Sequence, residues 1–350
     1  MFWILGADAV GSALRGLRGG RLTRLAAEQM EHSPWAGFRF YDLIFPLFIF
    51  MAGVSIAFAF ARAAGGEGRR AALGRVARRG LALYGLGLLY YGGFAGGFEH
   101  IRLLGVLQRI ALCYVSTAGL FLAGSVRAIA AAVAAILVGY WALLAWVPVP
   151  GFGAGDFAEG HNLANWIDAR WLPLLKWNGN HDPEGLLSTL PAIASCLLGL
   201  LAGLTLRSPL TPARKAICLA AGGLGCICAG LLWGVEFPVI KKIWTSSFVL
   251  VAGGWSLLLL AAFYYVIDVR GWTRWAQPFI WIGTNALAIY LLCRLVDFKL
   301  MSARLFGGEI ARALDRLWPG LAGVWLAATG MVLCVLVCRL LYVKKIFLRL

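Results

Sequence analysis

Stretches of about twenty apolar residues recur along the whole chain, and each is long enough for a helix to cross the hydrocarbon core of a bilayer. IFPLFIFMAGVSIAFAF, AIAAAVAAILVGYWALLAW and LAGVWLAATGMVLCVLVC are three of them. Lipid offers backbone groups no hydrogen bonds, so such segments must be helical. Of 350 residues, 61% are hydrophobic and 14% charged, against about 25% charged in a soluble domain. That balance excludes a soluble enzyme, a disordered chain and, despite a net charge of +16, a nucleic-acid binder. About ten crossings would use about 200 residues and leave no sizeable soluble domain. The expectation is an all-α polytopic membrane protein, a single transmembrane domain over residues 1–350 with about ten spans.

The spans are expected at 38–61, 80–98, 103–123, 128–147, 186–206, 216–233, 246–267, 279–298 and 321–342. They follow an N-terminal stretch, MFWILGADAVGSAL, that is too short to cross comfortably. No basic segment precedes it, so it does not read as a secretory signal; it is expected to be the outer half of a truncated first helix. Pro46 is expected to kink the second span.

Orientation follows from the short loops. Arg62, Arg69, Arg70, Arg75, Arg78 and Arg79 follow the second span, Arg207, Arg214 and Lys215 the sixth, Arg270 and Arg274 the eighth, and Lys344, Lys345 and Arg349 the last. With ten spans these all fall on one side, and the positive-inside rule makes that side cytoplasmic. Arg15, Arg18, Arg21, Arg24, Lys241 and Lys242 run against the rule. The four histidines (His32, His100, His161, His181) then fall on the outer side, together with nearly all carboxylates except Glu67 and Asp268. The longest loop, 148–185, is also outer. Proton-transfer groups on one face and phosphate-binding cations on the other suit a transfer reaction across the membrane better than a scaffold. The eight cysteines lie within apolar stretches rather than in loops at paired spacings, so neither a disulfide framework nor a metal site is expected.

Five groups of residues can carry chemistry. His32 stands just before a span and Asp42 about one turn inside it; an imidazole is a base near neutral pH and a carboxylate can fix its tautomer. An interfacial His that anchors a helix end is the competing reading, with Trp35 beside it. Asp182 and Glu184, in HDPEG, either cap the sixth span or act as acids. Gln108 and Arg109 fall inside the fourth span, where a buried Arg needs a partner such as Asp42 or an anionic ligand. Lys241, Trp244 and Ser247 lie in FPVIKKIWTSS, as cation anchors or as donors to a substrate. Asn285 sits mid-span, tying helices together or donating to an oxyanion.

Five blocks occur in order: EHSPWAGFRFYDLIFPLFIFMAGVSIAF, RLLGVLQRIALCY, DPEGLLSTLPAIASCLLGLLAG, FPVIKKIWTSSFVL and YVKKIFL. Together they resemble the transmembrane heparan-α-glucosaminide N-acetyltransferase family and its bacterial relatives, within the transmembrane acyltransferase superfamily. The resemblance covers nearly the whole chain. It implies an acyltransferase that takes acetyl-CoA from the cytoplasm and places the acetyl group on the amino group of a terminal glucosamine or related amino sugar outside. It also implies an integral protein of a bacterial inner membrane with its active site toward the periplasm, and it allows a homodimer. His32 matches the family's active histidine, Asp42 falls in its DLxFP block, and Asp182 and Glu184 match DPEG.

On that reading Arg75, Arg78, Arg79, Lys344 and Lys345 hold the CoA phosphates, and Gln108 and Arg109 line its path. His32 acts as base or as acetyl carrier. Trp35, Lys241, Trp244, Ser247 and Asn285 contact the substrate or the oxyanion. The rival readings are a sugar or acyl-group transporter, whose hallmark is paired broken helices in inverted repeats, and a silent membrane scaffold.

Overall fold

A computed structural model describes residues 2–17, 20–60 and 68–348. Arg18, Arg62, Glu67 and Arg349, used above for orientation, lie outside the described residues. In chain order the helices are α1 (Ala7–Gly16), α2 (Arg21–Gln29), α3 (Ile44–Ala59, entered by a 3-10 turn Phe40–Leu43), α4 (Arg69–Tyr90) and α5 (Val106–Ala123). Next come α6 (Val126–Trp146), α7 (Leu163–Trp171), α8 (Thr189–Arg207), α9 (Pro212–Trp233) and α10 (Ser246–Tyr264, extended by a π turn to Val269). The last are α11 (Gln277–Thr284), α12 (Ala286–Leu295), α13 (Phe298–Phe306), α14 (Gly308–Leu317) and α15 (Leu321–Val343). The protein is all-α and polytopic.

Among the described residues, seven helices are long and apolar enough to cross a membrane, or eight if one bent pair counts as a span. The difference from ten has local causes. α4 begins with Arg69 and Arg70 and carries Arg75, Arg78 and Arg79 in its first half, so its apolar run is short. α1 has ten residues. The expected ninth span is broken at Asn285, where α11 and α12 meet at 67°. Thr284 Oγ1 donates back to the carbonyls of Ile280 and Trp281, a local competition that bends helices. Pro46 is the third residue of α3, which follows directly on the 3-10 turn Phe40–Leu43. Phe40–Ala59 is one of the seven candidate spans.

The chain divides into two compact units. Unit 1 comprises Met1–His32, Arg39–Ile44 and Gly271–Leu350; unit 2 comprises Ser33–Phe38 and Phe45–Arg270. In unit 1, α1, α11, α13 and α14 pack on α15. Its apolar core contains Ile282, Ile289, Phe298, Cys334 and Cys338.

Unit 2 is a bundle whose long helices approach closely through glycine. A Cβ at Gly53 of α3 would strike the Cys196 carbonyl of α8, and one at Gly199 the Phe50 carbonyl of α3. Gly223 and Gly254 join α9 to α10 in the same way. Small residues at such crossings let backbones approach where lipid supplies no hydrophobic drive. Successive short turns put the segments 91–105, 147–188 and 234–245 at one end of unit 2. Loop contacts join them there: Leu175 N–H donates to the Ile101 carbonyl, Trp35 Nε1 to the Phe157 carbonyl at 2.9 Å, and Lys242 pairs with Glu159 at 2.8 Å.

Gly199→Leu must push the α3 backbone aside and is expected to cost about 1–3 kcal/mol or more. Gly225→Ala, where the added methyl meets open space, is expected to leave stability unchanged or raised. Thermal melts in detergent check both.

Candidate active site

The strongest catalytic geometry in unit 1 is built on the turn that leads into α3. Asp42, the third residue of that turn, is wholly buried. One of its oxygens accepts the Arg39 amide at 3.1 Å, and the other faces His32 Nδ1 at 2.9 Å. The Tyr41 ring stacks on the imidazole, centroids 4.6 Å apart, and Arg39 Nη1 donates to the His32 carbonyl at 3.2 Å. The His32 side chain is 54% exposed, whereas that of Asp42 is 0%. In the tautomer that gives Nδ1–H to the buried carboxylate, Nε2 is the basic nitrogen of the ring. A base held by an orienting acid has this arrangement.

Unit 2 contains a second His–Asp pair, His161 Nδ1 to Asp156 at 2.9 Å. Its acid is 36% exposed, so water screens the charge that would support an imidazolium.

The main polar feature of unit 2 is a buried charge cluster. Arg102 reaches Asp182 through Nε at 2.9 Å and Nη2 at 2.6 Å, and Glu184 through Nη2 at 2.5 Å. The Tyr91 and Trp177 rings flank its guanidinium at 4.5 and 4.9 Å. Burial alone would raise the Asp182 carboxyl, but the Arg102 bonds and charge, with amides of Glu184 and Trp177, hold it below the usual carboxylate range. Burial pushes Glu184 up against the pull of Arg109 and Arg102. Asp168, on α7, accepts the amides of Leu186 at 2.8 Å and Asp182 at 3.3 Å. Burial raises it to about 6. Asp182 and Glu184 do not cap α8, which starts at Thr189; they answer Arg102.

Arg109 lies one turn into α5, wholly buried. Asp42 of unit 1 is engaged by His32; the bonding partners of Arg109 are Ser188 Oγ at 2.5 Å and the Gly185 carbonyl at 3.3 Å, both through Nη2. The Trp244 ring covers it at 5.0 Å. Trp244 has φ 54°, a left-handed backbone that costs a bulky residue about 1–3 kcal/mol. Its Nε1 donates to Ser195 Oγ at 3.1 Å. Trp244 is only 1% exposed, so it acts as an internal wall rather than as a surface for a sugar. Gln108 Nε2 donates to the Arg102 carbonyl at 3.2 Å, while its Oε1 has no partner.

The other expected residues are placed as follows. Ser247 Oγ donates to the Pro238 carbonyl at 3.1 Å. Trp35 is half-buried, with the Lys242 ammonium 5.5 Å above its ring; Lys241 is half-buried. Asn285 is buried in unit 1 with neither amide atom partnered. Arg75 and Arg78 are exposed on α4. Arg79 lies over the Tyr114 ring at 4.8 Å, its Nε buried and without a partner. Lys344 and Lys345, in unit 1, are exposed.

No family model matches the chain. Two curated proteins do, both named heparan-alpha-glucosaminide N-acetyltransferase. The one from Homo sapiens is 28% identical over 323 residues, covering 75% of this chain and 48% of its own length. The one from Mus musculus is 25% identical over 320 residues, with the same coverage of each. The chain is related to this N-acetyltransferase family. It spans about half the length of the curated relatives that it matches.

In this relative of the N-acetyltransferases, sequence reasoning assigned no role to Arg102, Ser188 or Tyr41, and counted Asp168 only among the acids of the outer loop. Arg102 opens the RLLGVLQR block, and a cation there combined with two acids in DPEG was the available signal. The partnership spans 80 residues, so spacing along the chain could not show it.

Arg102→Met strands two buried carboxylates and is expected to cost about 3–5 kcal/mol; adding Asp182→Asn and Glu184→Gln is expected to restore much of the loss in a detergent melt. Because the Asp168 carboxyl is raised from 3.8 to about 6, its proton stabilises the folded chain below about pH 4. That contribution, about 3 kcal/mol, is lost as pH rises through about 6. Asp168→Asn cannot titrate. The stability gap between wild type and this variant is therefore expected to narrow between pH 4 and pH 7, as read from melts across that range.

Proposed function

We propose that the chain is a membrane-embedded N-acetyltransferase. It moves the acetyl group of acetyl-CoA, presented at the arginine-rich face, to the amino group of a terminal glucosamine or related amino sugar on the side of the 148–185 loop. The proposal places that loop in the periplasm of a bacterial inner membrane. One observation carries it: the His32–Asp42 pair, with a wholly buried acid and a half-exposed base, at the residue where the family resemblance puts the active histidine. The naming of both curated relatives as N-acetyltransferases supports the reaction class.

His32 Nε2 takes a proton from the acceptor amine as its nitrogen bonds to the thioester carbonyl carbon. It then returns a proton to the departing sulfur as the carbon–sulfur bond breaks. Asp42 keeps the imidazole in the Nδ1–H tautomer and supports its positive charge between the two transfers. The stacked Tyr41 ring and the bond from Arg39 to the His32 carbonyl hold the ring in place. Arg75, Arg78 and Arg79 on α4 are the cations for the phosphates of CoA. The unpartnered Nε of Arg79 is a donor that an anion would satisfy.

The transporter reading calls for paired broken helices. Among the described residues there is one broken span, at Asn285.

His32→Ala is expected to lower acetyl transfer by about 10²–10⁴-fold. Asp42→Asn should fall in the same range, while His161→Ala should retain the wild-type rate. Purified protein, labelled acetyl-CoA and glucosamine provide the assay. Wild-type turnover that survives in His32→Ala removes His32 from the mechanism, and sugar uptake into liposomes without acetyl-CoA supports transport instead.

A further inference from the structure

Arg109 is wholly buried, yet only one of its three nitrogens is bonded. Nη2 serves Ser188 and Gly185, whereas Nε and Nη1 meet no acceptor. Leaving charged N–H groups unanswered in a membrane bundle is costly. The surrounding structure maintains that state. Trp244 is held in a left-handed backbone with its ring over the guanidinium, and Ser195 pins the far side of the indole. Nearby acids do not fill the vacant donors: Arg102 occupies Asp182 and Glu184, and backbone amides occupy Asp168.

The charge balance restricts what these donors can take. Two guanidiniums, Arg102 and Arg109, share the cluster with three carboxyls, Asp168, Asp182 and Glu184. Burial already pushes Glu184 and Asp168 toward their protonated forms. A phosphate dianion would add two more negative charges to a cluster that sheds the charge it has. A neutral carbonyl oxygen adds none, and it accepts N–H bonds.

We propose that the Nε–H and Nη1–H groups of Arg109 hold the acetyl carbonyl oxygen of the acyl donor, with the Trp244 ring as the wall beside it. This rests on the acetyltransferase reading and specifies which part of the donor Arg109 touches: the reacting acyl group, not the phosphates. When the amine nitrogen bonds to the carbonyl carbon, the π electron pair moves onto that oxygen and Arg109 stabilises it. When the pair returns, the carbon–sulfur bond breaks with its electrons on sulfur. Sulfur then receives a proton, and the amine proton removed on attack balances it. The products are the N-acetyl sugar and CoA thiol. Preformed donors at a developing oxyanion are a large term in acyl transfer.

The test compares wild type, Arg109→Lys and Arg109→Gln in detergent, with melts to confirm folding. Binding of CoA and of acetyl-CoA is measured by calorimetry, and the infrared band of carbonyl-¹³C acetyl-CoA is recorded on the protein. In wild type the bound carbonyl band is expected below its solution frequency. In Arg109→Lys it should return toward that frequency, with kcat down about 10²–10³-fold, CoA binding within about twofold of wild type and acetyl-CoA losing any advantage over CoA. Equal weakening of both ligands overturns the assignment in favour of a contact with the pantetheine arm. If the variants do not fold, an unshifted band in wild type overturns it on its own. A wild-type protein that binds neither ligand and transfers no acetyl group instead refutes the acetyltransferase reading, and the assignment with it.

Discussion

A guanidinium taken out of water must be answered by the protein, and in unit 2 Arg102 is answered by two acids at once. It stands just before α5, and Asp182 and Glu184 stand just before α8. The ion pairs therefore fasten the entrances of two membrane helices to each other. Asp168 of α7 accepts the amides of Asp182 and Leu186 and fastens the long loop to the same point. Tyr91 and Trp177 close over the guanidinium, which excludes water and strengthens each pair. Arg109 sits one turn deeper, where Ser188 and the Gly185 carbonyl, both supplied by the loop that Arg102 anchors, take hold of it.

The cluster also shows why similar residues differ in chemical potential. Two histidines face aspartates at 2.9 Å, but only Asp42 is wholly enclosed. Enclosure comes from its place in the turn that begins a membrane helix, where the Arg39 amide accounts for its second oxygen. An exposed carboxylate loses much of its hold on an imidazole to solvent. A single step in environment thus separates a candidate base from a surface pair.

Glycine does the structural work that hydrophobic burial does in water. Where Gly53, Gly199 and Gly203 bring α3 against α8, backbone meets backbone, and packing rather than solvent exclusion holds the helices together. The broken span at Asn285 is the opposite case: Thr284 and Asn285 interrupt the helix in unit 1 and leave a buried amide without partners.

The sequence alone determined the helical, membrane-spanning class and the approximate place of most spans, and it offered Asp42 as a partner for His32 or for Arg109. Hydrophobic length and a ten-residue separation are both local signals, and the ordered blocks added the acetyltransferase resemblance. The bend at Asn285, the covering of Arg109 by Trp244 and the engagement of Asp182 and Glu184 by Arg102 were decided only by the tertiary structure. Asp182 and Glu184 read as helix caps or acids in isolation, because a cap is a short-range property visible in spacing. Whether a charge deep in a bundle is neutralised, and by which group, depends on segments about eighty residues apart being folded into contact, and no periodicity along the chain encodes that meeting.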